Sequence, residues 1–430
     1  MKFINTGKGK ITLLTLLAVW SISLVVDLPG LAITPVMSDI DKIFPHASHL
    51  EIQLLSILPN FCILPFILLA GKMSMSRSKL TLICIGMAIF LAAGIACFFA
   101  KSLIALIVIS CFIGVGCGIV IPLAAGVIAD LFVGHERMTQ MGIKSGIANF
   151  SLIIATLVVG WLGTSNWHLP FIVYLIPIVP LVLAPFLSKK YLEKTAVQTA
   201  SSIPNSSSAS STSAAVSSAA STSKSSVPSI RPTTKKERDR SIIGIMVLYF
   251  TITCCTIVVS YYVPFAMQDD GLSSTWSGIV TSIFFLFITL AGFSLTKFVG
   301  TVRNSTSWLC LVLMIGGLVL MAMTHALWTY IIGVVLVGAG YGIMQPLFYN
   351  KAAVLSPNTN DSTRTLSLIM TANYFGTAVA PLIMTGIKDL FHLSGHVFAF
   401  WLGAIILAIP LVICLIKRNS YVFYASLKDC

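Results

Sequence analysis

Apolar residues along this chain gather into long runs, each closed by a short break rich in Lys, Arg, Ser, Asn or Gly. A hydrocarbon layer about 30 Å thick is crossed by roughly 20 residues of α-helix rising about 1.5 Å each, so runs of that length predict membrane-spanning helices. Twelve are found, at residues 11–36, 50–70, 80–100, 103–128, 142–163, 169–187, 241–267, 275–297, 306–324, 328–349, 366–387 and 397–416. The first is longer than a span requires, which leaves room for tilt. The pattern predicts an all-α membrane protein with twelve transmembrane helices.

Composition turns that pattern into an exclusion. Apolar residues are 57% of the 430 and charged residues 10%, against roughly 45–50% and about 25% in soluble domains, so a water-covered surface is out of reach. The net charge of +13 is then a question of location. An even number of spans puts both ends on one side, and 24 of the 27 Lys and Arg fall in the breaks of that side, leaving Lys42, Lys101 and Lys388 opposite. Basic loops stay in the cytoplasm. Both termini are therefore expected there, in a cell membrane (inner or plasma), and the excess charge signals topology rather than a nucleic-acid partner. The first run carries Asp27 and no small-x-small cleavage site, so it reads as a span and not a signal peptide.

Between the sixth and seventh runs the composition changes. Residues 199–234 are mostly Ser, Ala and Thr, with 15 serines, and cannot build a packed core. The expected organisation is residues 1–190 as one six-helix half, 191–240 as a cytoplasmic linker, and 241–430 as a second half with a short tail. Lys235, Lys236, Arg238 and Arg240 close the linker. They suit either anionic lipid headgroups or plain topology anchoring.

An internal repeat supports the two halves. Gly114, Gly116, Gly118, Ile119, Pro122 and Leu123 recur 224 residues later as Gly338, Gly340, Gly342, Ile343, Pro346 and Leu347, and Ala148-Asn149 recurs as Ala372-Asn373. The fourth run maps onto the tenth, six later and running the same way, so the repeats are parallel. Parallel halves about an axis along the membrane normal are the plan of the major facilitator superfamily, and the chain resembles that family in its motifs. The loop after the second run keeps the glycine and the terminal cation of the family pattern, as Gly71 and Lys79, with Arg77 between them and Met75 at the acidic position. Residues 163–171 resemble the turn that the family places after its fifth helix. The resemblance implies that Gly71, Arg77 and Lys79 take part in switching conformation.

Candidate chemistry is sparse. Asp27 is the one acid well inside a run, and an intramembrane acid is a functional candidate by default, here as a proton-coupling group. Drug/proton antiporters of the superfamily are similar in carrying an acid followed by proline in the first helix, as in Asp27-Leu28-Pro29. Ser110 stands where those antiporters usually carry an arginine. Asn149 and Asn373, with Asn60, Tyr261, Tyr262 and Gln345, are candidate cavity groups, since each offers hydrogen bonds to a polar solute; interhelical bonding is the competing role for the two repeat-related asparagines. Gly114, Gly118, Gly338 and Gly342 have small-xxx-small spacing for close helix packing, and Pro29, Pro35, Pro122 and Pro346 are candidate kinks. Lys144 sits at the expected start of the fifth helix, free to snorkel outward, a topology residue first and a solute contact second. With one acid and no deep cation, the expected solute is a neutral or cationic amphipath.

No metal or cofactor is expected, because the ten cysteines form no CxxC pair and His46/His49 and His392/His396 lack further ligands. No nucleophile and base are recognisable, so an enzyme is not expected. The reading is a monomeric secondary transporter with proton, small-molecule solute and lipid as partners, working by alternating access in proton-coupled efflux. Uptake by symport or facilitation is the alternative, and a non-transporting receptor or scaffold the second.

Overall fold

A computed structural model describes residues 3–6, 10–30, 32–33, 44, 49–163, 168–187, 234–272, 274–324, 326–356, 359–392 and 396–425. The Ser-rich linker, Pro35, His46 and part of the 163–171 turn lie outside the described residues. Among the described residues twelve α-helices follow one another: α1 Leu13–Ile22, α2 His49–Met73, α3 Lys79–Phe99, α4 Leu103–Leu131, α5 Gly134–Gly163, α6 Ile178–Leu183, α7 Lys235–Asp269, α8 Ser274–Val302, α9 Thr306–Met323, α10 Leu327–Leu355, α11 Thr359–Leu390 and α12 Phe398–Ile416. Among the described residues nine helical stretches are long and apolar enough to cross a membrane, one of them, Trp276–Met323, taking in both α8 and α9; Leu13–Val25 and Ile57–Met73 are shorter apolar helices.

Departures from the expected boundaries have local causes. The first helix ends at Ile22, continues as a 3-10 turn over Ser23–Val25, and stops. Pro29 lacks an N–H and disfavours helical geometry at Leu28, and Gly30 takes a left-handed φ of +74°. Asp27 therefore lies on irregular backbone, not inside a continuous helix. The sixth run is broken into 3-10 segments Leu169–Leu175 and Ala184–Leu187 around the short α6, because Pro170, Pro177, Pro180 and Pro185 interrupt its i−4 bonding. α5 begins at Gly134, eight residues before the expected start, right after α4 ends. α7 takes in the whole basic run, its start fixed by a capping box between Thr234 and Glu237.

The repeat is legible in the packing. α4 lies on α2, where a Cβ on Gly118 would meet the Ile63 carbonyl oxygen at 2.7 Å and one on Gly114 would overlap that of Pro59. α10 lies on α8 in the same way, with Gly338 against Phe284 and Gly342 against Ile288. Pro122 and Pro346 sit inside the two glycine-bearing helices. Each removes one backbone bond, and the helix continues through it.

The first six elements meet the last six mainly where α2 faces α11 and α5 faces α8. Gly142 and Gly292 bring the backbones of α5 and α8 together, and Gly71 lies under Ser367. On the face that carries both terminal segments, a two-stranded antiparallel hairpin, β1 Phe3–Asn5 with β2 Lys10–Thr12, leads into α1, and the Thr6 carbonyl accepts from Val133 N at 3.2 Å. Lys351, expected in a loop, is instead buried in α10, donating to the carbonyls of Tyr421 (3.0 Å) and Val422 (2.7 Å). Helix α10 simply runs six residues beyond its apolar stretch, and the chain after α12 folds back to cap the cation.

Candidate functional site

A cavity lies between the two sets of helices. One wall is built by Val26, Asp27, Pro29, Asn60, Asn149 and Leu152; the other carries Thr253, Thr256, Ser260, Tyr341, Gln345, Asn373 and Thr377, with Phe284, Phe285 and Ile288 as its apolar part. Of the candidates read from sequence, the fold thus brings Asp27, Asn60, Asn149, Gln345 and Asn373 to one place. Tyr261 and Tyr262 do not line it. The α7 residues that do line it all precede them, Thr253, Thr256, Ile257 and Ser260, because Tyr262 is turned toward α12, edge-on to Phe398 at 5.9 Å, and Tyr261 packs on the apolar core.

Asp27 is held by its neighbour across the interface. The Tyr374 hydroxyl lies 3.3 Å from Asp27 Oδ1 and 3.2 Å from the Val26 carbonyl oxygen. The two repeat-related asparagines are used differently. Asn373 Oδ1 accepts from Thr253 Oγ1 at 2.7 Å and Tyr341 Oη at 3.1 Å, tying α7, α10 and α11 together. Asn149 Nδ2 donates to the Ser145 carbonyl one turn back, at 2.9 Å. Ser145 itself bonds Gln345 across the cavity floor.

Lys144 overturns two expectations at once. Because α5 starts at Gly134, this lysine is not at a helix end but more than two turns inside, and its side chain is 1% exposed. Its ammonium lies over the Tyr349 ring, 5.0 Å from the centroid, and within electrostatic reach of Asp27 and Cys117. A deep cation therefore exists. The polar residues His135 to Gln140 hid it, since they read as a loop yet form the first turns of a helix that outlasts its apolar stretch.

Toward the basic face, the two sets are fastened together. Lys79 Nζ pairs with Asp130 Oδ2 at 2.5 Å, and the other carboxylate oxygen of Asp130 accepts from Ser362 Oγ of α11 at 3.3 Å. Arg137 Nε donates to Asn350 Oδ1 (3.2 Å), and the Thr139 and Thr296 hydroxyls are 2.9 Å apart. The loop candidates divide: Lys79 and Gly71 are in this contact layer, while the Arg77 side chain is exposed. Asp130, at the end of α4, supplies the carboxylate where the loop has Met75. Among the described residues, the hydrogen bonds that join the two sets lie at the cavity or on this side of it, so the conformation is closed toward the basic face.

At the opposite face His396 is not free in solvent. Its Nδ1 lies 2.7 Å from Asp269 Oδ2 and its ring stacks on Phe265 at 5.1 Å.

The sequence profile described as Major Facilitator Superfamily matches residues 12–381, and again 245–422. The chain belongs to the Major Facilitator Superfamily. This superfamily member is accordingly an integral membrane transporter and not an enzyme. Its structure resembles that of the human organic anion transporter MFSD10 (TETRAN), with a TM-score of 0.69 at 11% identity over 93% of this chain and 98% of that one. It also resembles the proton:xylose symporter XylE, with a TM-score of 0.68 at 13% identity over 97% of each chain. FucP in its outward conformation gives 0.66 at 13% identity, over 94% and 97%. At such identities the likeness shows the fold alone. In sequence the chain is similar to the multidrug transporter protein MdtP of Bacillus subtilis, 32% identical over 108 residues; the match covers 25% of this chain and about a fifth of MdtP.

Proposed function

We propose that this superfamily transporter is a proton-coupled exporter of small amphipathic cations, with Asp27 as the group that a proton and the solute use in turn. The observation that carries the reading is the placement of Asp27: one carboxylate facing a cavity between the two helix sets, among aromatic, aliphatic and neutral polar side chains. Apolar walls accept the body of the solute, the hydroxyls and amides orient it, and the carboxylate takes either the proton or the solute's positive charge. Because one site is occupied by one or the other, loading the proton releases the solute. The partial likeness to a multidrug transporter supports this class of solute.

In this reading residues 1–190 and 241–430 rock about the cavity as two units, with 191–240 as the tether between them, in a monomer whose termini face the cytoplasm of the cell membrane. The layer around Lys79 and Asp130 opens when the cavity turns inward.

The test is flux in proteoliposomes with a lipophilic permanent cation, ethidium or tetraphenylphosphonium, and an imposed pH gradient. The wild type accumulates the cation against its gradient, whereas Asp27→Asn exchanges it downhill only. Gradient-driven flux that survives Asp27→Asn removes the proposal. Cation movement in the same direction as the proton overturns the exchange and leaves the superfamily assignment untouched.

A further inference from the structure

One buried charge has no part in that scheme. Lys144 sits in the body of α5 with 1% of its surface exposed, and an ammonium so placed is costly unless an opposite charge faces it. What faces it comes from three elements. α10 presents the Tyr349 ring, 5.0 Å to the centroid, α4 presents Cys117, and the irregular segment after α1 presents Asp27. Around Asp27 itself stand Tyr374 of α11, Cys117, Lys144, and Tyr341 and Tyr349 of α10. Cys117 Sγ lies 3.4 Å from the carbonyl oxygens of Val25 and Val26, pinning the segment that carries Asp27 against the helix beside Lys144. Of these neighbours Lys144 is the only cation.

Asp27 lines the cavity and Lys144 does not. The carboxylate is therefore open to solute while lying within electrostatic reach of a fixed ammonium behind the wall. We infer that Lys144 is the resident counter-charge of Asp27, holding the empty carboxylate ionised and ready, and competing electrostatically with whichever cation enters the cavity. It acts through Asp27 as a positioning residue and touches no solute. The inference rests on the cation-exchange reading above and adds that the exchanging unit is a pair from the irregular segment after α1 and from α5.

Two opposed effects follow when Lys144 is made neutral. Without its attraction the carboxyl keeps its proton to higher pH, so cation binding weakens at acid and neutral pH; once the carboxyl is ionised, no resident cation opposes the incoming one, so binding tightens. Calorimetric binding of tetraphenylphosphonium, whose charge does not titrate, to the purified full chain reads both. Lys144→Gln is expected to move the binding curve to alkaline pH by on the order of 1 unit, as loss of an attracting opposite charge does. At its alkaline plateau it is expected to bind on the order of tenfold tighter than wild type. Lys144→Arg should restore the wild-type curve. A Lys144→Gln curve that coincides with wild type, or is weaker at every pH as a packing defect would make it, overturns the inference. A pH dependence that persists in Asp27→Asn overturns the exchange reading instead.

A measurement without ligand keeps the two failures apart. At neutral pH, infrared spectra of Lys144→Gln should show a protonated-carboxyl stretch that is missing from wild type and from the Asp27→Asn/Lys144→Gln double variant. If that band is absent, Lys144 is not what keeps Asp27 ionised, whether or not the probe binds.

Discussion

The two walls of the cavity are built on the same frame and furnished differently. α4 on α2 and α10 on α8 pack through glycines 224 positions apart, each backbone seated against a carbonyl of its partner. Yet the first wall is charged, with Asp27 and behind it Lys144, while the second is a neutral network of Thr253, Tyr341 and Asn373. Leu368 stands at the repeat position of Lys144, and Phe150, exposed, at that of Tyr374, which is buried and bonded to Asp27. What duplicates is the packing; what differs is the chemistry. In the proton-coupled cycle proposed above, a neutral wall would keep its hydrogen bonds while a charged one changed with the proton, so the asymmetry would confine titration to one side of the cavity.

The strongest way to break this comparison is to fill the shared frame. Gly118→Val and Gly342→Val each drive a side chain into a backbone carbonyl that cannot turn aside, and overpacking of this kind costs about 1–3 kcal/mol or more. Thermal unfolding of the two variants should fall by similar amounts; one tolerant and one intolerant position would deny that the packing is duplicated. Next comes the fastening at the basic face. Asp130→Asn removes the charge that Lys79 faces and weakens the bond from Ser362, at about 1.5–3 kcal/mol for charge-assisted bonds. Labelling of a cysteine introduced at Thr363 should rise as the closed state loses population, and unchanged labelling would mean that the layer is held by packing alone.

The smallest effects separate the two asparagines. Asn373→Ala strands two hydroxyls on the neutral wall and should cost about 1–3 kcal/mol of stability. Asn149→Ala gives up one bond to its own helix and should cost about 1 kcal/mol or less. Equal losses in chemical denaturation would make the walls alike after all.

The sequence reading reached the frame because apolar length and the 224-residue repeat are properties of the chain itself. It also reached part of the cavity lining: Asp27, Asn60, Asn149, Gln345 and Asn373 stand out as polar residues in apolar runs, whereas Thr253, Thr256, Ser260, Tyr341, Tyr374 and Thr377 do not. It missed Lys144 and Lys351 for one physical reason. A membrane helix extends past the lipid wherever capping and neighbours permit, so hydropathy locates the apolar stretch and not the helix ends. A lysine counted as a loop cation then turns out to be interior. Tyr261 and Tyr262 failed differently, since rotation about α7 is set by what α12 offers, and sequence alone does not give it. The break at Asp27 is hidden for another reason: an unbroken apolar run of 26 residues outweighs the local signal of Pro29 and Gly30.

The clasp of Lys351 on Tyr421 and Val422 carries a consequence for biosynthesis. The ammonium is buried in α10, but the carbonyls that receive it are made 70 and 71 residues later. While the ribosome is still producing α11 and α12, that end of α10 holds a cation with its carbonyls not yet synthesised. The second set of helices therefore locks only after α12 has been inserted, and a fusion partner or truncation placed before Tyr421 would leave the nascent transporter exposed to quality-control proteolysis.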